Sequence, residues 1–431
     1  MGDRFSQPGR AMTFRAILTV GAIPIFCLFS GRPLHPQAQG GQPSAPYILS
    51  IPDSSSADLS PDGTHLAVVV RRIVPTGQQH TRVHVQEIQI WDFRKGSILV
   101  RKELGGQQAT IGSGPSYIRF TSDGALLAVY TGGNIIRVLR SDDLQQIRSI
   151  HIELPPPSPS APGIPVSFGD EETRVTSFET SPKGHWVALR LYRGTGERRW
   201  GPFWKNVYLG GFASIYNLDS DVKINGWEIS SGYLGGGNGL AWRSDGRRLA
   251  AAASDAIPCL KGGGTIYMFD PASSAIQNRF RVSSLVGDIA WGDEDHIYVS
   301  NHGCPGYLSN QAPALPAYSA STGEQIGALK SPTGIRHRIA VSADKRRLIG
   351  YVGREKMTFA GLEDTIVRVD SRFEVWDLET GKALFTSPEL GPPANWPALP
   401  PTLRLSASGD LALFVGLRGD VRIFPINSSG R

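Results

Sequence analysis

The sequence predicts an all-β chain folded as a seven-bladed β-propeller, each blade a four-stranded antiparallel sheet. Three observations point there. A turn-and-strand unit recurs seven times. Its strands are short, apolar and rich in β-branched residues. The composition, with 50 Gly, 31 Pro and 19% charged residues, suits many short strands joined by turns and excludes a coiled coil or bulk disorder.

The unit is clearest at 118–150, where IRF, LLAVY, IIRVL and LQQIRSI are separated by the turns TSDG, GGN and RSDD. Its first turn reads LSPDG (59–63), TSDG (121–124), SPKG (181–184), SDG (244–246), GDED (292–295), SADK (342–345) and SASG (406–409). Ser and Asp side chains bond the backbone two residues on, and Gly supplies a positive φ without a Cβ clash. Seven third strands follow, among them IQIWDF (88–93), TIYMFD (265–270) and FEVWDL (373–378). The mean period is about 58 residues, longer than the 40–50 of a minimal blade, so the surplus is insertion.

The last copy stops one strand short, which would leave an unpaired edge. The strand-like run PYILSIP (46–52) precedes the first full copy. Residues 47–51 are therefore expected to pair with 421–426 and close the ring, placing the propeller at 46–431.

Residues 1–30 carry Arg4, Arg10 and Arg15 ahead of an apolar run at 16–29. That run fits a signal-peptide core and is short of the roughly 20 residues of a membrane span. The segment reads as a signal peptide or, uncleaved, as an N-terminal anchor; 31–45 reads as a flexible linker, with Ala38 a candidate cleavage position. A lipobox needs a small residue before Cys27, where Phe26 stands. Either way the body is expected to be extracytoplasmic, periplasmic or secreted, with membrane contact only through an uncleaved leader. The net charge is +6; the leader's three Arg and Asp3 account for +2 of it. The rest is too diffuse for a phosphate-neutralising stripe, so no nucleic-acid partner is expected.

With its LSPDG-type turns and the dipeptides Trp91-Asp92 and Trp376-Asp377, the chain resembles the WD-repeat family and its bacterial TolB-like relatives over 57–426. The matching places in the other copies read Leu139-Arg140, Asn217-Leu218, Phe269-Asp270, Tyr318-Ser319 and Phe424-Pro425, and the Gly-His dipeptide of WD repeats is absent. The resemblance implies the propeller fold and a binding role.

Catalytic signatures are missing: there is no HExxH, G-x-S-x-G, P-loop or CxxC. No cofactor and no metal is expected. The inner strands offer mainly Arg119, Glu179, Asp288 and Arg404, with no evident acid–base pair. The run DLETGK (377–382) resembles a quinoprotein turn but is equally a feature of binding propellers, and the Arg-Gly-Asp at 418–420 reads as chance. Arg247, Arg248, Arg346 and Arg347 read as solvated strand ends, and Trp242 and Trp291 as packing between blades. Cys259 and Cys304 fall in equivalent loops of adjacent blades, a candidate disulfide in an exported chain; the alternatives are two free thiols or, with His302, a metal site lacking a fourth ligand.

The expected function is a non-enzymatic, extracytoplasmic scaffold that binds a protein or other macromolecule or holds an envelope assembly together; the alternatives are a propeller hydrolase or quinoprotein oxidoreductase, or a small-ligand or glycan binder. The surplus length falls on one face, at 71–87, 193–213, 254–264, 301–315 and 353–372 between second and third strands, and at 155–174 and 391–401 between blades. Long loops on a rigid scaffold tend to carry function. The sharpest candidate site is the loop holding Arg198, Arg199, Trp200, Phe203, Trp204 and Lys205, since Trp and Arg are enriched at binding hot spots. The alternative for the two Trp is a plug over the channel.

Overall fold

The computed structural model describes residues 45–75, 82–108, 116–153, 172–200, 203–229, 239–254, 263–283, 286–293, 295–301, 314–330, 335–360, 363–390, 402–416 and 419–426. They form seven four-stranded antiparallel blades, at 54–108, 117–151, 172–229, 240–282, 286–330, 335–386 and 402–425, the last completed by Tyr47–Ser50. Among the described residues there is no helix.

Strand alternation explains why these sheets stand as a ring. In the second strand of blade one, Leu66, Val68 and Val70 pack toward blade seven, while Ala67 and Val69 pack toward blade two. Successive side chains point to opposite faces, so a strand buried on both sides must be apolar at every position. All five are at most 1% exposed. The same division gives seven apolar wedges, one between each pair of neighbouring blades. Trp242 packs with blade three and Trp291 with blade four, as expected of inter-blade packing.

The recurring first turn is held by its own side chains. In blade two Thr121 Oγ1 donates to Asp123 Oδ1 at 2.6 Å, the amide of Ala125 donates to the same oxygen at 3.0 Å, and the amide of Leu126 donates to Thr121 Oγ1 at 3.0 Å. Blade six repeats the pattern with Ser342, Asp344 and Arg347.

Closure is as expected. Tyr47, Ile48, Leu49 and Ser50 pair with Ile423, Arg422, Val421 and Asp420. Leu49 and Ile51 are buried in the wedge between blades seven and one. Gly419, the middle of the Arg-Gly-Asp run, accepts a hydrogen bond from the amide of Ile51 at 3.2 Å, and Asp420 pairs with Ser50, so both belong to the closure.

Two readings are corrected. Arg347 is no solvated strand end: its side chain is 11% exposed, and it bonds Asp410 at 3.0 Å and the carbonyl of Gly409 at 2.9 Å, clamping blade six to blade seven. Arg346 is exposed. In blade three, Tyr216-Asn217 and not Asn217-Leu218 matches Trp376-Asp377. The amide of Leu218 bonds the carbonyl of His185 as that of Leu378 bonds Arg346.

Closure should be the most sensitive backbone site. Gly419 has φ +80°, and a Cβ there would lie 2.4 Å from the carbonyl oxygen of Ile51; Gly133 has φ +71° with open space around it. Gly133→Ala should cost the left-handed penalty alone, roughly 1–2 kcal/mol, and Gly419→Ala distinctly more. Thermal melts of the two variants check this; equal losses would show that closure does not limit stability.

Candidate functional site

Counting back from the first turn locates the channel. Five residues before the turn glycine or its equivalent, the inner strands carry Asp58, Arg119, Glu179, Ala241, Ala290, Ala340 and Arg404 in blades one to seven. Two residues earlier, on the same strand face, stand Tyr117 of blade two, Asp288 of blade five and Arg338 of blade six. Together these line a cavity of about 390 Å³ on the ring axis. First-turn residues Pro61, Ser122, Pro182, Ala343 and Ala407 also line it, so its mouth is at the turn end.

Six charges meet in this cavity. Arg119 bonds Glu179 through two N–H···O contacts of 3.4 Å. Arg404 bonds the same carboxylate. Blades three and seven have two blades between them on one side of the ring and three on the other, so the Arg404–Glu179 bridge crosses the channel. Arg338 lies 3.7 Å from Asp288 and donates to the hydroxyl of Tyr117, a second crossing, from blade six to blade two. Asp58 Oδ2 accepts the amide of Phe120 at 3.0 Å, and Asp288 accepts those of Ile289 at 3.0 Å and Ile339 at 3.3 Å, so both acids also stitch one inner strand to the next. Thr180 and Trp242 add similar stitches, to the carbonyls of Phe120 and Glu179.

Enclosure sets the electrostatics. Burial is the largest influence on all three acids. It pushes Glu179 up to about 7, against the pull of Arg119, with Asp288 and Asp58 adding to the rise. Asp58 and Asp288 are each pushed up to about 6, opposed mainly by Arg119 and by Arg338 respectively. Burial likewise lowers the ammonium of Lys345 to about 8. Lys345 also lines the cavity, donates to the carbonyl of Trp291 at 2.9 Å, and holds φ +60° where five other first turns have glycine.

The four inner-strand residues named from sequence are thus brought together, with Glu179 between two guanidiniums. Asp58 and Arg338 escaped the sequence reading. Asp58 was within reach by counting from Gly63. Arg338 was hidden because blades five and six carry their charge two residues earlier than the others.

The insertions of blades one, three and six are β-ribbons rather than irregular loops. In blade three the second and third strands, Trp186–Trp200 and Phe203–Asn217, pair to the tip, where Arg198, Arg199 and Trp200 stand opposite Lys205, Trp204 and Phe203. Among the described residues the pairing of the inner strand reaches Gly194 and that of the outer strand reaches Gly211, and the ribbon itself continues for about seven residues more, roughly 20 Å at the strand rise. In blade six the pairing runs from Arg347↔Asp377 to Ala360↔Glu363. In blade one it runs to Pro75↔Arg82, with the outer strand still paired at Val83↔Gln108. Blade two makes the same connection tightly. Cys259, Cys304, His302 and the insertions 155–171 and 391–401 lie outside the described residues.

No family model and no curated protein matches the chain. In overall fold it is similar to a WD40-like chain from a crystal structure of the mitotic checkpoint complex, with a TM-score of 0.51 and 15% identity over 95% of this chain and 99% of that one. Some 1106 solved chains match, so the likeness identifies a widely used scaffold and assigns it no role.

The raised carboxylates make stability pH-dependent with a fixed sign. In the folded state Glu179 keeps its proton up to about 7, whereas an ordinary glutamate loses it near 4.5. The folded state therefore binds more protons in that window, and stability falls as pH rises through it. Glu179 accounts for a loss on the order of 2–3 kcal/mol. Urea melts between pH 4.5 and 7.5 should show a shallower decline in Glu179→Gln than in the natural protein; identical slopes would place the titration elsewhere.

Proposed function

We propose that this chain is a non-enzymatic, extracytoplasmic, TolB-like β-propeller that binds a protein partner, as a scaffold in the cell envelope, through the face from which the arms of blades one, three and six project. In this reading residues 1–30 export or anchor the chain, 31–45 link the leader to the propeller, and no nucleic acid is bound. The observation that carries it is the blade-three arm. Its two strands stay paired to the tip, beyond the last described rungs of the inner and outer strands, and the tip carries Arg198, Arg199 and Trp200 in register with Lys205, Trp204 and Phe203. Aromatic and Arg side chains on a rigid support are the residues that dominate interface energetics. Two-stranded ribbons also offer unpaired backbone edges to a partner strand. The likeness to a chain from a protein assembly accords with partner binding.

A photo-crosslinking residue at position 200, introduced in the native envelope, should capture a defined protein. Replacing Trp200 and Trp204 with Ala should abolish capture from a crosslinker placed at position 198 while moving the melting temperature by less than about 2 °C, as expected for residues outside the core. A large fall in stability with capture intact would assign the two Trp to a plug and end this reading of the arm.

Export also predicts the redox state of the cysteines. Non-reducing peptide mapping of the exported protein should recover Cys259 linked to Cys304. Two thiols freely alkylated in correctly exported material would remove the bridge.

A further inference from the structure

The ring could be held by apolar wedges alone, yet six charged side chains and a lysine are gathered on its axis. Three features of that cavity go together. First, its volume of about 390 Å³ lies within the range of small-molecule sites, roughly 300–1,000 Å³. Secondly, its wall carries four cations, Arg119, Arg338, Arg404 and Lys345, against three carboxylates, Asp58, Glu179 and Asp288. The Nε of Arg404 has no hydrogen-bond partner among the described residues. Thirdly, Lys345 takes a left-handed backbone conformation that costs a non-glycine residue roughly 1–2 kcal/mol, and its side chain lies on the cavity wall near the turn end. A glycine would relieve the strain and lose the ammonium.

The carboxylate of Glu179 occupies the place between two guanidiniums that approach from different blades. Paired Arg groups converging from two walls are a carboxylate receptor, and here the chain's own acid fills it. We propose that the channel is a binding site for a small organic carboxylate, which enters through the turn-end mouth and displaces Glu179 from between Arg119 and Arg404, with Lys345 at the entrance. Above pH 7 the displaced Glu179 takes up a proton from solvent, so the cavity exchanges one carboxylate for another at constant charge; below pH 7 Glu179 already holds that proton and the ligand supplies the carboxylate. This goes beyond the partner-binding face, which is at the opposite ends of the strands.

The pH dependence has a definite sign. Glu179 faces Arg119, Arg338 and Arg404 and the acids Asp58 and Asp288, with Tyr117 nearby. Below pH 7 it is largely protonated and displacement is easy. Above pH 7 displacement requires proton uptake, and affinity falls about tenfold per pH unit. Asp58 and Asp288, held near 6, have already lost most of their protons at pH 7 and affect the natural protein and a Glu179 variant alike.

Succinate is the probe, titrated calorimetrically into the full-length protein from pH 6 to 8.5. Binding should weaken above pH 7 in the natural protein. Glu179→Gln should bind about tenfold more tightly at pH 8 and keep only the shallower fall that begins near pH 8 as Lys345 gives up its proton, while Arg404→Gln and Lys345→Met, verified as folded by their melts, should weaken binding tenfold or more. Crystals soaked at pH 6 should show the succinate between Arg119 and Arg404. Absence of binding at pH 6 overturns the proposal, as does binding indifferent to Arg404→Gln. Should Glu179→Gln not fold, the natural protein's pH profile and Arg404→Gln decide the matter unaided.

Discussion

Four backbone rungs between Tyr47–Ser50 and Asp420–Ile423 turn a succession of sheets into a ring, and each other feature of the molecule presupposes them. Without the first strand, blade seven has three strands and an open edge. The wedge between blades seven and one would also lose Leu49 and Ile51, two buried side chains each contributing about 1.5–3 kcal/mol. The consequence reaches further than that wedge. Arg404 stands on blade seven and Glu179 on blade three, so the crossing of the channel holds its geometry only while the ring is closed. The tightest part of the closure is the approach of Gly419 to Ile51, where backbone leaves no room for a Cβ.

The ring also dictates where polarity is tolerated. A second or third strand is sandwiched between neighbouring sheets and is mostly apolar on both faces, as Leu66–Val70 are; the polar side chains buried there, Gln86, Gln89, Arg190 and Glu374 among them, need partners, as Gln86 has in the carbonyl of Thr131. An inner strand has one face toward the axis, where seven strands converge and water is scarce. Charges placed there are costly unless paired and bonded. The molecule meets that condition with near balance, three carboxylates against three guanidiniums and the Lys345 ammonium. Asp58 and Asp288 further bond backbone amides of the next inner strand. Balance keeps the charges compatible with folding, and enclosure keeps them responsive to pH.

Much of the fold was legible because it is written locally and seven times over. The first turn needs a hydroxyl or carboxylate and a residue of positive φ within four positions, and TSDG supplies both. Closure followed from arithmetic, one strand too few at one end and one to spare at the other. The site was legible only in pieces. Arg119, Glu179, Asp288 and Arg404 could be placed on inner strands, but pairing between residues 225 apart in sequence depends on which blades face each other across the axis. The arms of blades three and six read as loops because their length exceeds that of a minimal blade connection. Yet each carried strand signals, β-branched residues in Thr365–Val369 of one and a Gly201-Pro202 turn dipeptide in the other.

The two ends of the strands have accordingly been freed for different work. At the turn end, connections are short and bound up in side-chain bonds, so variation is confined to which residue occupies each place. Lys345 for glycine is the clearest instance, a strained substitution that puts a cation at the mouth of the channel. At the other end, the second and third strands of blades three and six lengthen into paired ribbons. In the proposed reading the ribbons serve a macromolecular partner, while the charges on the axis constrain the ring and are within reach only of something small. The two proposed roles thus follow one division, wedges in the middle, tight turns on one side and ribbons on the other.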